Sequence, residues 1–265
     1  MKTQYFGDIN DFHKYRLLRG LAKAGLKLGV CWMLTPGDGR TDGGKTEYLD
    51  KPEDYKAFAP EIFNAIKSVR MEVRESKSFA PFQNFKPEPI PGALFSEDCA
   101  EGAIACLDNQ LERGAFISRT LGKFATSNVD VAFFDPDNGL ERSGGKPARG
   151  QLQSGKFIYW EEVEDVFERG LSVLLYQHGT QAESRERHIG RLRKEASNRL
   201  PEARCWAFRT PHIFFLLITQ ERHFQLIKQW VKESSNDSWT SEFRTAPTSS
   251  PLANHFTFGE VLIPT

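Results

Sequence analysis

The sequence predicts an α/β fold: a Rossmann-like, mostly parallel sheet with helices on both faces and an antiparallel strand pair near the C-terminus. Three observations predict it. Short continuous apolar runs, such as LGVCWML and VDVAFF, alternate with amphipathic segments, as strands buried on both faces alternate with covering helices. The runs Ala203 to Phe208 and Ile213 to Thr219 are separated only by Arg209-Thr210-Pro211-His212, which reads as a hairpin. Several runs also end abruptly in Gly, Asp, Asn or His, and the carboxyl ends of strands are where open sheets bind ligands.

Taken in order, a first helix is expected from Asp8 or Asn10 to Ala24, with Leu17, Leu18 and Leu21 as its apolar face and Gly25 ending it. Leu28 to Leu34 reads as a buried strand that breaks at the loop TPGDGRTDGGKTEY. Pro60 opens a helix through Ile66, proline being favoured in a first turn. Val69 to Val73 alternates like a strand, and residues 75–91 read as a Pro- and Phe-spotted loop or an inserted arm. Ala93 to Phe95 is the next expected strand. Asp98 and Glu101 give the capping-box spacing of a helix through Leu111. Val129 to Phe134 is a strand, and residues 142–153 form a Gly-, Arg- and Lys-bearing loop. A helix over Trp160 to Arg169, a strand over Ser172 to Tyr176 and an amphipathic helix over Glu183 to Asn198 follow. The hairpin, a helix to Val231, a loose Ser/Thr-rich segment at 234–251 and an edge strand from Phe256 to Ile263 complete a single domain over 1–265.

Composition limits the function. Lys+Arg and Asp+Glu both number 35, so the formal net charge is zero and no overall basic balance points to nucleic acid. The basic run Arg185, Arg187, His188, Arg191, Arg193 and Lys194 is interleaved with Glu183, Glu186 and Glu195 and reads as a solvated helix face. Four cysteines, Cys31, Cys99, Cys106 and Cys205, form no CxxC pair and read as reduced thiols of a cytoplasmic protein. The N-terminus reads as too polar for a signal peptide, and no apolar run approaches the ~20 residues of a membrane span.

Four polar clusters fall at expected strand ends: Thr35 to Arg40, Ser96 to Asp98, Asp135 to Asn138, and Gln177 to Gly179. Gly37 and Gly39 flank Asp38 in a loop whose backbone can approach a cofactor closely, or that is an ordinary turn. Asp135 ends a buried strand, where a charge is costly without a partner. Asp137 and Asn138 belong to a turn, or converge with Asp135 if the chain bends at Pro136. His178 lies at another strand end as an acid–base group or ligand. Glu97 suits ribose hydroxyls, while Asp98 is sufficiently explained as a helix cap. Lys14 follows Asp11 by one helical turn, the spacing of a surface ion pair.

This layout resembles the class I S-adenosylmethionine-dependent methyltransferases, whose late strands also form an antiparallel pair. Within them it is most similar to the J-type ribosomal-RNA adenine amino-methyltransferases. That family opens with Gly-Asn-x-x-Asp-x-x-Lys-His, matched here in GDINDFHKY by Gly7, Asp11 and Lys14, with Tyr15 in place of the histidine. Its Ala-Gly-x-Gly-Arg loop is matched in PGDGR by Gly37, Gly39 and Arg40. Its Asp-Pro-Pro-Tyr stands here as Asp135-Pro136-Asp137-Asn138. Two departures are plain: Met33 stands where an acidic residue usually ends the first strand, and the stacking aromatic is replaced by Asn138. The whole chain resembles more closely a set of uncharacterised bacterial proteins sharing GDxxDFxKYxLLR, GVCWMLTP, FFDPDNGLE and LxYQH.

The resemblance implies S-adenosylmethionine as cofactor. It would be held by Lys14, Thr35, Gly37, Asp38, Gly39, Arg40, Ser96 and Glu97, with Lys14 as the cation for the methionine carboxylate. Asp135, Asp137, Asn138 and His178 would do the chemistry, and nucleic acid would be the partner. Two alternatives remain open at the level of sequence. One is a nuclease or phosphodiesterase in which Asp38, Asp135, Asp137 and His178 gather Mg2+ or Mn2+. The other is a binding module without catalysis.

Overall fold

The computed structural model describes residues 5–33, 35, 45–76, 90, 92–96, 107–141, 147–179, 182–210, 213–234 and 257–260. Gly37, Asp38, Gly39, Arg40, Glu97, Asp98, Cys99, Cys106, nearly all of the arm at 75–91 and nearly all of the segment at 234–251 lie outside them.

Helix α1 spans Ile9–Lys23. Its N-cap Asp8 accepts the backbone N–H groups of Asn10 and Asp11, satisfying two of the donors that every helix start leaves unpaired. Strand β1 (Leu28–Trp32) follows, then the short α2 (Pro52–Tyr55), α3 (Pro60–Ser76) and β2 (Leu94–Phe95). Helix α4 (Gln110–Thr126) is capped by Asn109 and leads to β3 (Val131–Asp135). Strands β4 (Gly139–Leu140) and β5 (Phe157–Ile158) form a separate parallel pair. Helix α5 (Trp160–Glu168), β6 (Ser172–His178), α6 (Arg185–Arg199), β7 (Arg204–Arg209), β8 (Ile213–Thr219), α7 (Glu221–Ser234) and β9 (Thr257–Glu260) complete the order.

The main sheet has seven strands in the order β2-β1-β3-β6-β8-β7-β9. Pairings β1–β2, β1–β3 and β3–β6 are parallel. Strand β8 is antiparallel to both of its neighbours, β6 and β7, so β6 and β7 run in the same direction with β8 inserted between them. The predicted mostly parallel α/β sheet with a late antiparallel pair is therefore what forms.

Side chains alternate across each strand, and the core divides accordingly. Val30, Trp32, Val131, Phe133, Leu174, Tyr176, Phe215 and Leu217 face α1, α3 and α7. Cys31, Met33, Ala132, Phe134, Val173, Leu175, Phe214 and Leu216 face α4, α5 and α6. Close approach needs glycine at two places. A Cβ on Gly20 of α1 would stand 2.5 Å from the Trp230 ring of α7, and one on Gly29 of β1 would stand 2.8 Å from the Phe124 ring of α4.

Two expectations are corrected. Val69 to Val73 is not a strand but the second half of α3. Its alternation misleads because Val69 continues the stripe Ile62, Phe63, Ile66, while Met71 points to solvent. Helix α4 was not expected beyond Leu111. Among the described residues it starts at Gln110 and supplies Phe116, Ile117, Leu121 and Phe124 to the core.

Arg113 of α4 anchors the β4–β5 region from inside. Its guanidinium is 1% exposed and meets Glu162 through both Nε (2.5 Å) and Nη2 (2.8 Å). It also donates to the carbonyls of Leu107, Ser154 and Phe157 and lies over the Tyr159 ring. Glu162 in turn accepts the Tyr159 N–H at the start of α5. Within the basic run on α6, Arg191 pairs with Glu183 and Glu195; nearby, Arg199 at the end of α6 pairs with Glu164 and Arg209 of β7 with Glu186. Among the described residues no helix is long and apolar enough to cross a membrane.

Candidate functional site

The chain passes from β1 to β2 on one side and from β2 to β3 on the other, so the strand order reverses between β1 and β3. In open α/β sheets the crevice at such a point is the ligand site. Trp32 and Asp135 pair in register at the carboxyl ends of these two strands. Parity along the strands turns both toward α1, and α1 sends Lys14 to meet them.

Lys14 is 2% exposed, and its Nζ lies 2.5 Å from Asp11 Oδ1 and 2.7 Å from Asp135 Oδ2. The ammonium also sits 5.3 Å from the centre of the Trp32 ring and 5.4 Å from that of Tyr176, within cation–π range. The expected surface pair between Lys14 and Asp11 is thus a buried triad that includes the strand-end carboxylate. Burial alone would lower the Lys14 pKa; the two carboxylates outweigh it and raise it. Asp11 is raised by burial and by Asp135, against the pull of Lys14.

The triad is braced from behind. Asp11 Oδ2 accepts the Gly7 N–H at 2.8 Å, and Gly7 has φ +81°, a conformation that favours glycine. Tyr48 donates to the Gly7 carbonyl. One residue on, the Asp8 carboxyl is pushed up to about 7, by burial and then by the charge of Asp11. A folded-state value above the unfolded one means that the native state holds the Asp8 proton between pH ~4 and 7. Stability from this group is therefore greatest at the acid end of that window and is lost as pH rises through it. Asn caps a helix as well as Asp does. The neighbouring Asn10 Oδ1 has no hydrogen-bond partner among the described residues, so its amide can turn over to accept a new N–H. Asp8→Asn is expected to be ~1–3 kcal/mol more stable than wild type at pH 8 and equal to it near pH 5. Urea unfolding at the two pH values checks this; parallel losses at both would sink it.

Strand β6 completes the crevice. Tyr176 faces α1, and its phenol is held well above the usual range by burial and by Asp8, Asp135, Asp11 and Asp137. Its hydroxyl lies 3.3 Å from His178 Nε2, with the rings edge to face. His178 is exposed at the strand end, yet the protein packed around its ring lowers its pKa, against the opposing pull of Asp137 and Asp135. The imidazole is neutral near pH 7.

Gln177, of opposite parity, points to the other face and fixes the turn after Asp135. Its Oε1 accepts the Leu140 N–H at 2.7 Å. Gly139 (φ +97°) leaves it room, since a Cβ there would lie 2.4 Å from that oxygen. The Asn138 N–H donates to Lys156 O, and the Glu141 N–H to Ile158 O. The polar run Asp135 to Glu141 is thus a turn stapled to β5 and β6. It leaves Asp137 and Asn138 half-buried at the crevice, with the Asp137 charge felt by both Tyr176 and His178.

The structure therefore brings together Lys14, Asp135, Asp137 and His178, while the Asn138 backbone is held by Lys156 and Gln177. Thr35 is buried just beyond β1. Ser96 is placed apart from them: its N–H bonds to Val30 O and its hydroxyl faces Thr120 of α4, 3.4 Å away. Gly37, Asp38, Gly39, Arg40 and Glu97 lie outside the described residues. Sequence reading missed Trp32 and Tyr176 and gave Asp8 only as a candidate start of the first helix. Strand parity was the available signal for the two aromatics. Among the described residues no three His, Cys, Asp or Glu side chains gather as a metal ion requires. Asp11 and Asp135 instead converge on the Lys14 ammonium, a cation supplied by the chain itself.

Compared with protein-family models, with curated proteins and with solved structures, the chain gives no match.

Proposed function

We infer that this protein is an S-adenosylmethionine-dependent methyltransferase-like enzyme whose acceptor is held at Asp135. One observation carries the reading. The carboxylate ending β3 lies beside the end of β1, where the strand order reverses, in a sheet that also has the late antiparallel strand the resemblance implies. The cofactor, when bound, supplies the electrophilic methyl group. Residues following β1, Thr35, Gly37, Asp38, Gly39 and Arg40, would hold it, with Glu97 following β2. Asp135 accepts an N–H of the acceptor and fixes its lone pair for in-line attack, so catalysis is chiefly positioning. His178, neutral near pH 7, takes the proton that methylation of an amine releases. Nucleic acid as acceptor rests on the resemblance; the paired arginines of α6 add nothing to it.

The test is thermal unfolding with S-adenosylmethionine and, separately, with Mg2+ or Mn2+. Binding to the native state contributes about 2.7 kcal/mol at a hundred times the dissociation constant and raises the midpoint. The cofactor is expected to raise it, in chelator as well, and to do so in Asp135→Ala too. A midpoint unmoved by the cofactor but raised by metal, with the metal effect lost in Asp135→Ala, would favour a metal-dependent hydrolase instead. A midpoint moved by neither leaves a binding module.

A further inference from the structure

The resemblance makes Lys14 the cation for the cofactor's carboxylate, and the geometry around it points elsewhere. Its ammonium is 2% exposed and already meets two carboxylates, at 2.5 and 2.7 Å, between two aromatic rings. Asp11 cannot swing away to release it, because its other oxygen is tied to the Gly7 N–H. Gly7 in turn is held by Tyr48 and sits against α3, where a Cβ would lie 3.1 Å from Ile66. An anionic ligand approaching Lys14 would meet one positive charge flanked by two negative ones, and the sum repels it.

We propose that Lys14 is a positioning residue: a cation built into the fold that fixes the Asp135 carboxylate at the crevice, anchored by Asp11, and not a ligand of the cofactor. The functional part rests on the methyltransferase reading, in which Asp135 holds the acceptor. Lys14 acts through Asp135, by pointing Oδ2 at α1 and so setting the plane of the carboxylate that the acceptor meets. A cofactor carboxylate must then find its donors elsewhere around the crevice.

Two measurements on the full chain test this, using wild type, Lys14→Met, Asp135→Asn and the double variant. In urea unfolding the two substitutions are expected to couple by more than tenfold in the unfolding constant, because neutralising Asp135 removes much of the need for the ammonium. Additive effects, within twofold, overturn the assignment. In calorimetric titration the probes are S-adenosylmethionine and 5′-methylthioadenosine, which lacks the amino and carboxylate groups. Lys14→Met is expected to change both affinities by the same factor, no more than threefold. A loss of tenfold or more confined to S-adenosylmethionine would place Lys14 on the ligand carboxylate and overturn the proposal. Should Lys14→Met not fold, Lys14→Gln takes its place in both measurements. Lys14→Arg, which keeps the charge, is expected to retain part of the coupling to Asp135. A wild-type chain that binds neither probe defeats the methyltransferase reading, and the unfolding cycle then decides the place of Lys14 alone.

Discussion

Arg113→Met is expected to destabilise the protein by about 3–5 kcal/mol, the cost of leaving one member of a buried ion pair uncompensated. Glu162 is 1% exposed and would lose both of its guanidinium contacts. The carbonyls of Leu107, Ser154 and Phe157 would lose their donor at the same time. Methionine fills a similar volume without supplying a hydrogen bond, so the loss is of pairing and not of packing. Neutralising the partner as well should recover part of it: Arg113→Met with Glu162→Gln keeps an acceptor for the Tyr159 N–H and buries no net charge. Urea unfolding of the single and double variants measures both. A double variant no more stable than Arg113→Met would show that the carbonyl contacts, not the charge, dominate. A single variant within 1 kcal/mol of wild type would contradict the whole account.

Arg113 also bears on function through place. It holds the segment 154–157 against α4, and Lys156 O is the acceptor that fixes the Asn138 N–H. The turn after Asp135 is therefore backed by a buried charge network on one side of the sheet, and Asp135 itself by another on the opposite side. The two networks meet at one strand end.

Much of this was legible in the sequence, and what was not has a physical reason. The strands were readable because each is a short apolar run closed by turn residues, and Ile213 to Thr219 was located to the residue. The clusters after β3 and at the end of β6 were readable for the same reason. Helix α3 was cut short because Val69, Met71 and Val73 alternate with polar residues over five positions, and a window that short does not separate a helix from a strand. The site was half readable. Asp135 announces itself as a carboxylate at the end of a buried run, and Asp11 and Lys14 as a one-turn pair. That all three are one buried unit follows from register: Trp32 opposite Asp135, with α1 packed over both. Register between strands 100 residues apart is set by the whole core and leaves no local trace. Tyr176 was hidden as one more aromatic in an apolar strand. Only the parity that turns it toward α1 distinguishes it from its neighbour Leu175.

Lys14→Met carries the other large effect, again about 3–5 kcal/mol, and its dependence on pH identifies the cause. In wild type the folded-state pKa of Lys14 is raised above the ordinary value of about 10.4. Its contribution is therefore complete below that value and is lost as pH climbs through the folded-state pKa. The variant behaves differently across the neutral range. Asp11 and Asp135 remain buried at 5% and 1% exposure with no cation between them, and Asp11, whose pKa burial already raises, is driven to take up a proton. The variant's native state then holds more protons than its unfolded state above pH ~4, so its stability falls as pH rises toward 8. The deficit relative to wild type should be smallest near pH 4–5 and largest near pH 8. A deficit independent of pH over that range would mean that Lys14 matters for packing between Trp32 and Tyr176 and not for charge. Removing all three charges offers the complementary check. Buried ionic groups replaced together by well-packed apolar residues of similar volume are often neutral in stability or better, and a neutral set that keeps its hydrogen bonds should behave likewise. Asp11→Asn/Lys14→Met/Asp135→Asn is therefore expected to fold with stability near wild type, Asn at position 11 still accepting the Gly7 N–H. Such a protein would keep the fold and lose only the three charges of the triad, the strand-end carboxylate among them. The triad would then be a device of the site, retained where a neutral core would have served stability as well.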